Sequence, residues 1–411
     1  MHNTSLSSAG AASHAPDRPV EKGSPVLDRS LLDGVSLPAM VLHQHVVEHN
    51  IAWMQRFADD HGARLAPHGK TTMMPALFQR QLDAGAWGIT LATATQCTAA
   101  FAHGIRRLLM VNQLVGRANM ALVAEMIEGG ADYYCTVDHP DNVRTLNEFF
   151  AARGLTLQVL IELGVPGGRC GVRDEAALAS LVAAIGEAPA LALAGVEGYE
   201  GIIGGDDPIA AVRAYGQRLV QTVRTLHDSG VLRVAAPIVT ASGSRWFDLI
   251  AEAFDQAELR EHYTPVLRPG CYVVHDHKLY RGAMAEVRQR HPELEGELAP
   301  ALEVFAQVQS LPEPGLAIVA LGKRDIACDP DLPMPLRLYR PGQPPRDVSA
   351  WQVFNIMDQH VFMRIPHDAD IRLEDVIAFG ASHPCLTFDK WRQGLWVDEA
   401  LQITAIEPTF F

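Results

Sequence analysis

The sequence predicts an α/β protein in which a (β/α)8 barrel is followed by an antiparallel β domain. Short apolar runs alternate with longer segments whose apolar residues recur three and four positions apart. This alternation repeats about every 20 to 30 residues, which is typical of parallel βα units. Seven or eight such units within residues 45–275 fit a closed barrel better than an open sheet. After residue 275, prolines and turn residues separate short β-prone segments, a pattern that favours antiparallel strands.

Individual elements follow from these patterns. The predicted barrel strands are Ala63–Ala66, Gly88–Ala92, Leu108–Asn112, Tyr133–Val137, Leu157–Leu163, Ala194–Tyr199 and Ala235–Thr240. The predicted helices are Pro75–Ala84, Arg117–Glu128, Pro140–Arg153, Glu175–Gly186 and Pro208–His227. Several of these segments end at glycine, which is the expected stop of a helix. The predicted strands of the β domain are Val304–Gln309, Ala317–Leu321, Leu336–Tyr339 and Val361–Arg364.

The chain divides into four predicted segments. Residues 1–25 are rich in Ser, Ala, Gly and Pro and lack the apolar stretch of a signal peptide, so we expect a flexible tail there. Residues 26–44 are expected to join the β domain. Residues 45–275 form the predicted barrel, and residues 276–411 form the predicted β domain.

Composition excludes several classes of function. The 34 Lys and Arg residues against 48 Asp and Glu residues give a net charge of −14, which makes nucleic acid and anionic membrane poor partners. The six cysteines lie far apart without a C-x-x-C pair, so neither a disulfide scaffold nor a zinc ribbon is indicated. No apolar run approaches the roughly 18 residues of a membrane span. We therefore expect a soluble, cytoplasmic protein.

The first candidate for chemistry is a lysine. Lys70 follows the first predicted barrel strand and therefore lies at the carboxyl rim, where barrel enzymes keep their active sites. A lysine there can form a Schiff base with a carbonyl if its pKa is lowered from about 10.4. A solvated loop lysine is the alternative interpretation of this residue taken alone.

Further turns at the predicted rim contain glycine, serine and arginine. Arg169 lies in a glycine-lined turn after the fifth strand and suits an anionic oxygen or a cofactor ring. The loop at Ser242, Gly243 and Ser244 could hold a phosphate with backbone N–H groups and hydroxyls. The segment 268–272 could add further N–H groups to the same anion. Each of these turns could also be an ordinary surface loop.

His383 and Cys385 form a candidate metal site. In an extended segment, residues two apart point to the same face. Imidazole and thiolate favour Zn²⁺ over Mg²⁺ or Ca²⁺. Two ligands are incomplete, and His360 is a candidate for a third. A structural role for this histidine and cysteine is the alternative.

Taken in order, these segments resemble the fold-type III pyridoxal 5'-phosphate (PLP) enzymes, whose barrel is of the alanine racemase kind. Within them, the chain is similar to the D-serine dehydratase and D-threonine aldolase group, and to bacterial sequences known as amino acid deaminases. The matching segments are PHGKTTM (67–73), AGAWGITLAT (84–93), NQLV (112–115), GVEGYEG (195–201), RPGCYVVHD (268–276), PEPGLA (312–317), GKRD (322–325), DQH (358–360) and SHPCLTFDKW (382–391).

The resemblance implies a role for each matched position. Lys70 would bind the cofactor covalently, with Arg169 near the ring and its 3-oxygen and Tyr199 near the ring nitrogen. The implied metal ligands are His383 and Cys385. The remaining implied cofactor-binding residues are His68, Ser242, Gly243, Ser244, Gly270, Cys271 and Tyr272. Two positions depart from the group, since Thr72 and Gln96 stand where His and Glu are usual, and a polar contact in the pocket is expected to differ.

The implied function is a PLP- and metal-dependent dehydratase that converts a D-3-hydroxy amino acid, such as D-serine or D-threonine, to a 2-oxo acid and ammonia. The metal would be zinc, with manganese or cobalt as alternatives. Aldolases of the group tend to carry Asp where Cys385 stands, which favours a dehydratase. Retro-aldol cleavage to glycine and an aldehyde, a larger substrate such as D-glucosaminate or 3-hydroxyaspartate, and a non-catalytic PLP carrier remain open. A homodimer is expected by resemblance.

Overall fold

A computed structural model describes residues 20–411, so most of the predicted tail at residues 1–25 lies outside the described residues. The first strand is β1 (Ala39–His43), and it leads directly into helix α1 (Gln44–Asp60). Within the described residues, no helix is long and apolar enough to cross a membrane.

The predicted barrel is formed by eight parallel strands within the described residues. These strands are β2 (Arg64–Leu65), β3 (Ile89–Leu91), β4 (Arg107–Gln113), β5 (Asp132–Val137), β6 (Leu157–Leu163), β7 (Leu191–Gly198), β8 (Ile238–Ala241) and β9 (Thr264–Leu267). Their order in the sheet is β2-β9-β8-β7-β6-β5-β4-β3. An isolated parallel bridge between His68 and Thr90, just beyond β2 and within β3, brings the two end strands together.

Helices follow the barrel strands and cover the outside of the sheet. After α1, they are α2 (Pro75–Asp83), α3 (Ala94–Ala102), α4 (Arg117–Glu128), α5 (Pro140–Ala151), α6 (Glu175–Gly186), α7 (Pro208–Asp228), α8 (Phe247–Gln256) and α9 (Leu279–Arg290). Local sequence explains where several begin. Proline opens α2, α5 and α7, where its missing N–H costs nothing. The side chains of Thr93, Asp174 and Asp207 accept the first free N–H groups of α3, α6 and α7.

A compact group of buried residues takes its members from most of the barrel strands. Its members are Ala66, Leu109, Val111, Tyr134, Leu160, Ala194, Ile238 and Val266. The cluster takes one or two residues from each of β4 to β9, with Ala66 just after β2. This is the pattern expected for the inward face of a barrel, where side chains fill the interior in layers. The predicted barrel is therefore confirmed, and its interior is packed.

The remaining strands form a second sheet. They are β10 (Leu302–Glu313), β11 (Leu316–Val319), β12 (Met334–Tyr339), β13 (Arg346–Asp347), β14 (Gln352–Ile356), β15 (Val361–Arg364), β16 (Val376–Gly380), β17 (Gln393–Val397) and β18 (Ile403–Pro408), with the short helix α10 (Cys385–Phe388) between β16 and β17. The central order is β13-β12-β16-β10-β1-β17-β18, while β11, β15 and β14 extend from β10.

The second sheet differs from the prediction in one pair of strands. The strand β1 pairs antiparallel with β10 but parallel with β17. The sheet is therefore mixed, because β1 is contributed by the segment before the barrel. The other pairs in this sheet are antiparallel, as expected.

Candidate active site

A cavity of about 330 Å³ lies where the carboxyl rim of the barrel meets the second sheet. This volume is at the small end of ordinary ligand sites. Its lining residues are His68, Lys70, Thr71, Val111, Arg169, Tyr199, Ser242, Gly243, Ser244, Arg268, Gly270, Cys271, Tyr280, His383 and Cys385. Of the cofactor-binding and metal-ligating residues predicted from the sequence, all but Tyr272 and the candidate third ligand His360 line this one cavity.

Lys70 lies in a 3₁₀ turn, Gly69–Thr71, directly after β2. The turn passes so close to α2 that a Cβ on Gly69 would lie 2.6 Å from the Phe78 ring, which explains the glycine there. The lysine side chain extends into the cavity and is exposed within it. Partial burial lowers the pKa of Lys70, and the nearby guanidinium of Arg169 lowers it further, while the thiols of Cys385 and Cys271 oppose this. The environment therefore favours a neutral amine more than water does.

Arg169 and Tyr199 come from the turns after β6 and β7. The Arg169 guanidinium lies 4.3 Å from the centre of the Tyr199 ring, at cation–π distance. The Tyr199 backbone N–H donates to the Tyr215 hydroxyl at 3.1 Å, which holds this turn against α7. The pair thus forms one wall of the cavity. The two residues predicted to contact the cofactor therefore lie side by side.

The predicted phosphate loop is arranged differently from the expectation. The N–H groups of Ser242 and Gly243 donate to the buried carboxylate of Glu200 at 3.0 and 2.5 Å. These two donors are therefore already satisfied by the protein. The Ser244 hydroxyl instead accepts N–H groups from Gly270 and Cys271, at 3.2 Å each. Three polar groups from two loops thus converge beside the lysine.

Tyr272 does not line this cavity. Its side chain is buried in the core, where the Gln81 amide donates to its hydroxyl at 2.9 Å. Only its backbone lies beside the converging groups of Gly270 and Cys271. The sequence motif indicates this turn but does not show which of its side chains point inward.

The predicted metal pair lies on the β-domain side of the cavity. Cys385 begins the helix α10, so the pair does not occupy an extended segment as expected. The thiol of Cys271 and the imidazole of His383 lower the pKa of Cys385 by hydrogen bonding, and Cys385 in turn raises the pKa of His383. His383 Nδ1 lies 3.4 Å from Asp329 Oδ2, an outer partner that can orient the ring.

No third ligand is preformed at this pair. Within residues 20–411, no three His, Cys, Asp or Glu side chains converge as a complete metal site. His360 is exposed in the turn between β14 and β15 and does not line the cavity. The chain therefore offers two soft donors beside open space.

A buried ion pair between Arg268 and Glu197 lies next to the cavity. Arg268 donates to Glu197 and to the Gly198 carbonyl, and its Nε lies 2.9 Å from Thr240 Oγ1. Burial raises the pKa of Glu197 to about 8, although the Arg268 charge opposes this shift. The ion pair fixes Arg268 between β7, β8 and β9, with part of its side chain at the cavity wall.

Sequence reasoning missed five residues of this site. Val111, Arg268, Tyr280 and Thr71 line the cavity, and Glu200 bonds its phosphate loop. Arg268 and Thr71 lie within the matching motifs and could have been found there, whereas Val111 and Tyr280 carry no local signal. The two departures at Thr72 and Gln96 do not line the cavity. Gln96 instead accepts the Ala92 N–H at 3.0 Å in the cap of α3.

Comparison with known families agrees with this architecture. The family of the alanine racemase N-terminal domain matches residues 42–270, more than half of the chain. The chain belongs to this family. The family described as a putative serine dehydratase domain matches residues 301–397, in the second sheet. The predicted membership of the fold-type III PLP enzymes, in the D-serine dehydratase and D-threonine aldolase group, is confirmed.

Individual relatives of this family are enzymes that act on D-amino acids. The chain is 31% identical to the D-threonine aldolase of Arthrobacter sp. over 45% of its own length and 47% of that protein, or about half of it. It is 25% identical to the 3-hydroxy-D-aspartate aldolase of Paracoccus denitrificans over 73% of this chain and 75% of that protein.

Solved structures extend the likeness to nearly the whole chain. The D-threonine aldolase of Filomicrobium marinum superposes with a TM-score of 0.77 at 25% identity, covering 95% of this chain and 98% of that one. The D-threo-3-hydroxyaspartate dehydratase of Delftia sp. HT23 has the same fold, with a TM-score of 0.74 at 23% identity, covering 93% and 99%.

Proposed function

We propose that the chain is a PLP- and divalent-metal-dependent lyase that removes water and then ammonia from a D-3-hydroxy amino acid. The observation that carries this proposal is the placement of Lys70 and the His383–Cys385 pair around one cavity. An amine that can bind the cofactor and a pair of soft metal donors would then act on the same bound substrate.

The residues of the cavity suit PLP. Lys70 offers an amine for the cofactor's aldehyde. The Ser244 hydroxyl, which accepts the N–H groups of Gly270 and Cys271, would donate its own proton to the cofactor's phosphate. The backbone approach is close, since a Cβ on Gly270 would lie 2.7 Å from the His68 carbonyl oxygen. His68 Nδ1 is buried without a hydrogen-bond partner, as a side chain awaiting a polar ligand would be. Bound PLP would supply an electron sink for negative charge at the substrate Cα.

The lysine would also serve as the base. With substrate bound in the cavity, the Lys70 amine would be placed to take the proton from the substrate Cα. A general base must be unprotonated to act, and the lowered pKa of Lys70 moves it in that direction. Arg169 and Tyr199 would hold the ring plane from one side.

His383 and Cys385 would hold the divalent ion, with zinc favoured by their soft donor atoms. The ion would supply Lewis acidity to the departing hydroxyl, which otherwise leaves poorly. Two solved mutants of D-threo-3-hydroxyaspartate dehydratase replace a histidine and a cysteine two positions apart, and the cysteine mutant is described as metal-free. That spacing is the spacing of His383 and Cys385.

Retro-aldol cleavage is the second candidate function. It would use the same cavity, but the β-hydroxyl would lose its proton and the Cα–Cβ bond would break, giving glycine and an aldehyde. The relatives include aldolases as well as a dehydratase, and the aldolases support this second candidate. The thiol at Cys385 favours the dehydratase. The homodimer and the cytoplasmic location stay predictions.

Product analysis tests the proposal. The PLP-loaded protein is incubated separately with D-serine and D-threonine, with and without a metal chelator. Pyruvate or 2-oxobutyrate together with ammonia, lost on chelation, is the expected result. Glycine and acetaldehyde from D-threonine would establish the aldolase instead. Turnover of D-3-hydroxyaspartate or D-glucosaminate alone would assign a larger substrate, and no product from any of them would favour a carrier.

A further inference from the structure

Two thiols meet in the cavity wall although their residues are far apart in the sequence. Cys271 Sγ lies 3.6 Å from Cys385 Sγ. Cys271 comes from the turn after β9, and Cys385 begins α10 in the second sheet's domain. The Thr71 hydroxyl contacts both sulfurs, at 3.6 Å from Cys271 and 3.4 Å from Cys385. The pair therefore bridges the barrel and the β domain beside Lys70.

The geometry of this pair suits a disulfide. A disulfide has a sulfur–sulfur distance of about 2.05 Å, so the two atoms need to approach by roughly 1.5 Å. Both cysteines are free thiols in this structure. Cys385 is partly exposed in the cavity and can meet a small oxidant, whereas Cys271 also lines the cavity but is buried.

We propose that Cys271 and Cys385 form a reversible disulfide under oxidation by hydrogen peroxide. The sulfur of Cys385 attacks one peroxide oxygen, the O–O bond breaks and water leaves, giving a sulfenic acid. The sulfur of Cys271 then displaces the hydroxyl from Cys385, forming the S–S bond and releasing a second water. In total, two thiols lose two electrons and two protons, and one peroxide becomes two waters. A dithiol reductant reverses the step by exchange.

The disulfide has a consequence that rests on the proposed function. Cys385 is one of the two proposed metal ligands, and a sulfur bound in a disulfide no longer offers a thiolate to a metal. Oxidation would therefore remove half of the protein's donor set. The closed bridge would also tie the barrel to the β domain across the cavity wall.

Peptide mapping tests the disulfide without any activity assay. The metal-free protein is treated with peroxide at a concentration that leaves the core thiols of Cys97 and Cys135 unmodified. We expect the chain to lose the mass of two hydrogen atoms, with one non-reduced peptide pair joining Cys271 to Cys385, and to regain both on reduction. Oxidation of Cys385 to its sulfinic acid without a link, or a link through another cysteine, would overturn the proposal.

Single variants define the partners. Cys271→Ser should leave Cys385 without its resolving thiol, so peroxide should carry Cys385 to an acid that the reductant cannot restore. Cys385→Ser should leave Cys271 reduced. Cys328→Ser, which removes another partly exposed thiol, should form the same link as the original chain. Loss of the link in Cys328→Ser would contradict the assignment.

An experiment with zinc distinguishes a failure of the disulfide proposal from a failure of the proposed metal site. The same peroxide treatment is repeated on protein loaded with zinc, and zinc binding to the oxidised and reduced chains is compared by equilibrium dialysis. We expect zinc to slow the link and the oxidised chain to lose zinc binding. A link that forms equally fast with zinc present would overturn the ligand role of Cys385 but leave the disulfide established.

Discussion

The buried core and the cavity both contain ionisable side chains, but in contrasting surroundings. In the core, burial raises the pKa of the Cys97 thiol, on α3, to about 12 and that of the Glu197 carboxyl, on β7, to about 8. At the cavity, the partners of Cys385 lower its pKa, and that of Lys70 is lowered as well. Core groups are thus driven toward their neutral forms or paired, whereas the cavity holds a thiol that favours its anion beside an amine that is more easily neutral.

The difference lies in what each group faces. Cys97 is fully buried among mostly apolar residues, and its hydrogen bond with the Tyr133 side chain does not offset the loss of water around its charged form. Cys385 faces Cys271, His383 and Thr71, each of which can stabilise the anion. Burial alone therefore gives an inert thiol, and burial with polar partners at an open cavity gives a ligand or a nucleophile.

The largest expected effect is at the rim lysine. Lys70→Ala should abolish lyase activity and the visible absorbance of lysine-bound PLP, because both the covalent attachment and the base are removed. Loss of a general base alone costs about 10²- to 10⁴-fold in rate. Lys390→Ala, a half-buried lysine beside Asp389 outside the cavity, is the matched control and should keep both properties. Activity surviving in Lys70→Ala would show that the rim amine is not catalytic.

The buried pair of Arg268 and Glu197 should contribute more to the stability of the fold than an exposed ion pair does. Arg268→Met leaves the buried oxygens of Glu197, Gly198 and Thr240 without their donor, which should lower the free energy of unfolding by about 3 kcal/mol, as measured by urea denaturation. Arg144→Met removes a partner of Asp141 at the exposed start of α5 and should cost at most about 1 kcal/mol. Equal losses in the two variants would contradict the contrast between interior and surface.

The buried Glu197 carboxyl should also make stability depend on pH. Because the pKa of Glu197 is about 8 in the folded chain, above its unfolded value, its proton stabilises the folded state at low pH. This contribution should be lost as pH rises from about 5 through 8, by at most about 1.4 kcal/mol per pH unit. Glu197→Gln should flatten the slope, whereas Glu148→Gln, at an exposed position of α5, should not. A slope unchanged in Glu197→Gln would assign the pH dependence to other groups.

Local patterns predicted much of the barrel. The bounds of β6, α4 and α6 match the sequence expectation, because each is a long element with a strong apolar pattern and a clear terminal signal. The short strand β9 was not predicted, since four residues that include Pro265 carry little pattern of their own. The parallel pairing of β1 with β17 could not be predicted, because nothing local to either strand selects so distant a partner.

The candidate site was likewise predictable only in part from the sequence. Motifs indicated the rim turns that carry Lys70, Arg169 and Ser244, since residue type and position after a strand were enough. They did not show that Glu200 takes two N–H groups of the phosphate loop, or that Cys271 meets Cys385. Both contacts join elements far apart in the sequence and depend on how the chain packs.

The position of β1 has a consequence for how the chain assembles. Val41 pairs with Glu303 on one side and with Leu395 on the other. The centre of the second sheet therefore needs one segment that precedes the barrel in the sequence and two that follow it. Barrel strands pair mostly with their neighbours in sequence. Closing long loops costs chain entropy, and folds dominated by distant contacts form slowly. We therefore expect the barrel to form from local contacts while β1 still lacks partners, and the wall that carries His383 and Cys385 to assemble later.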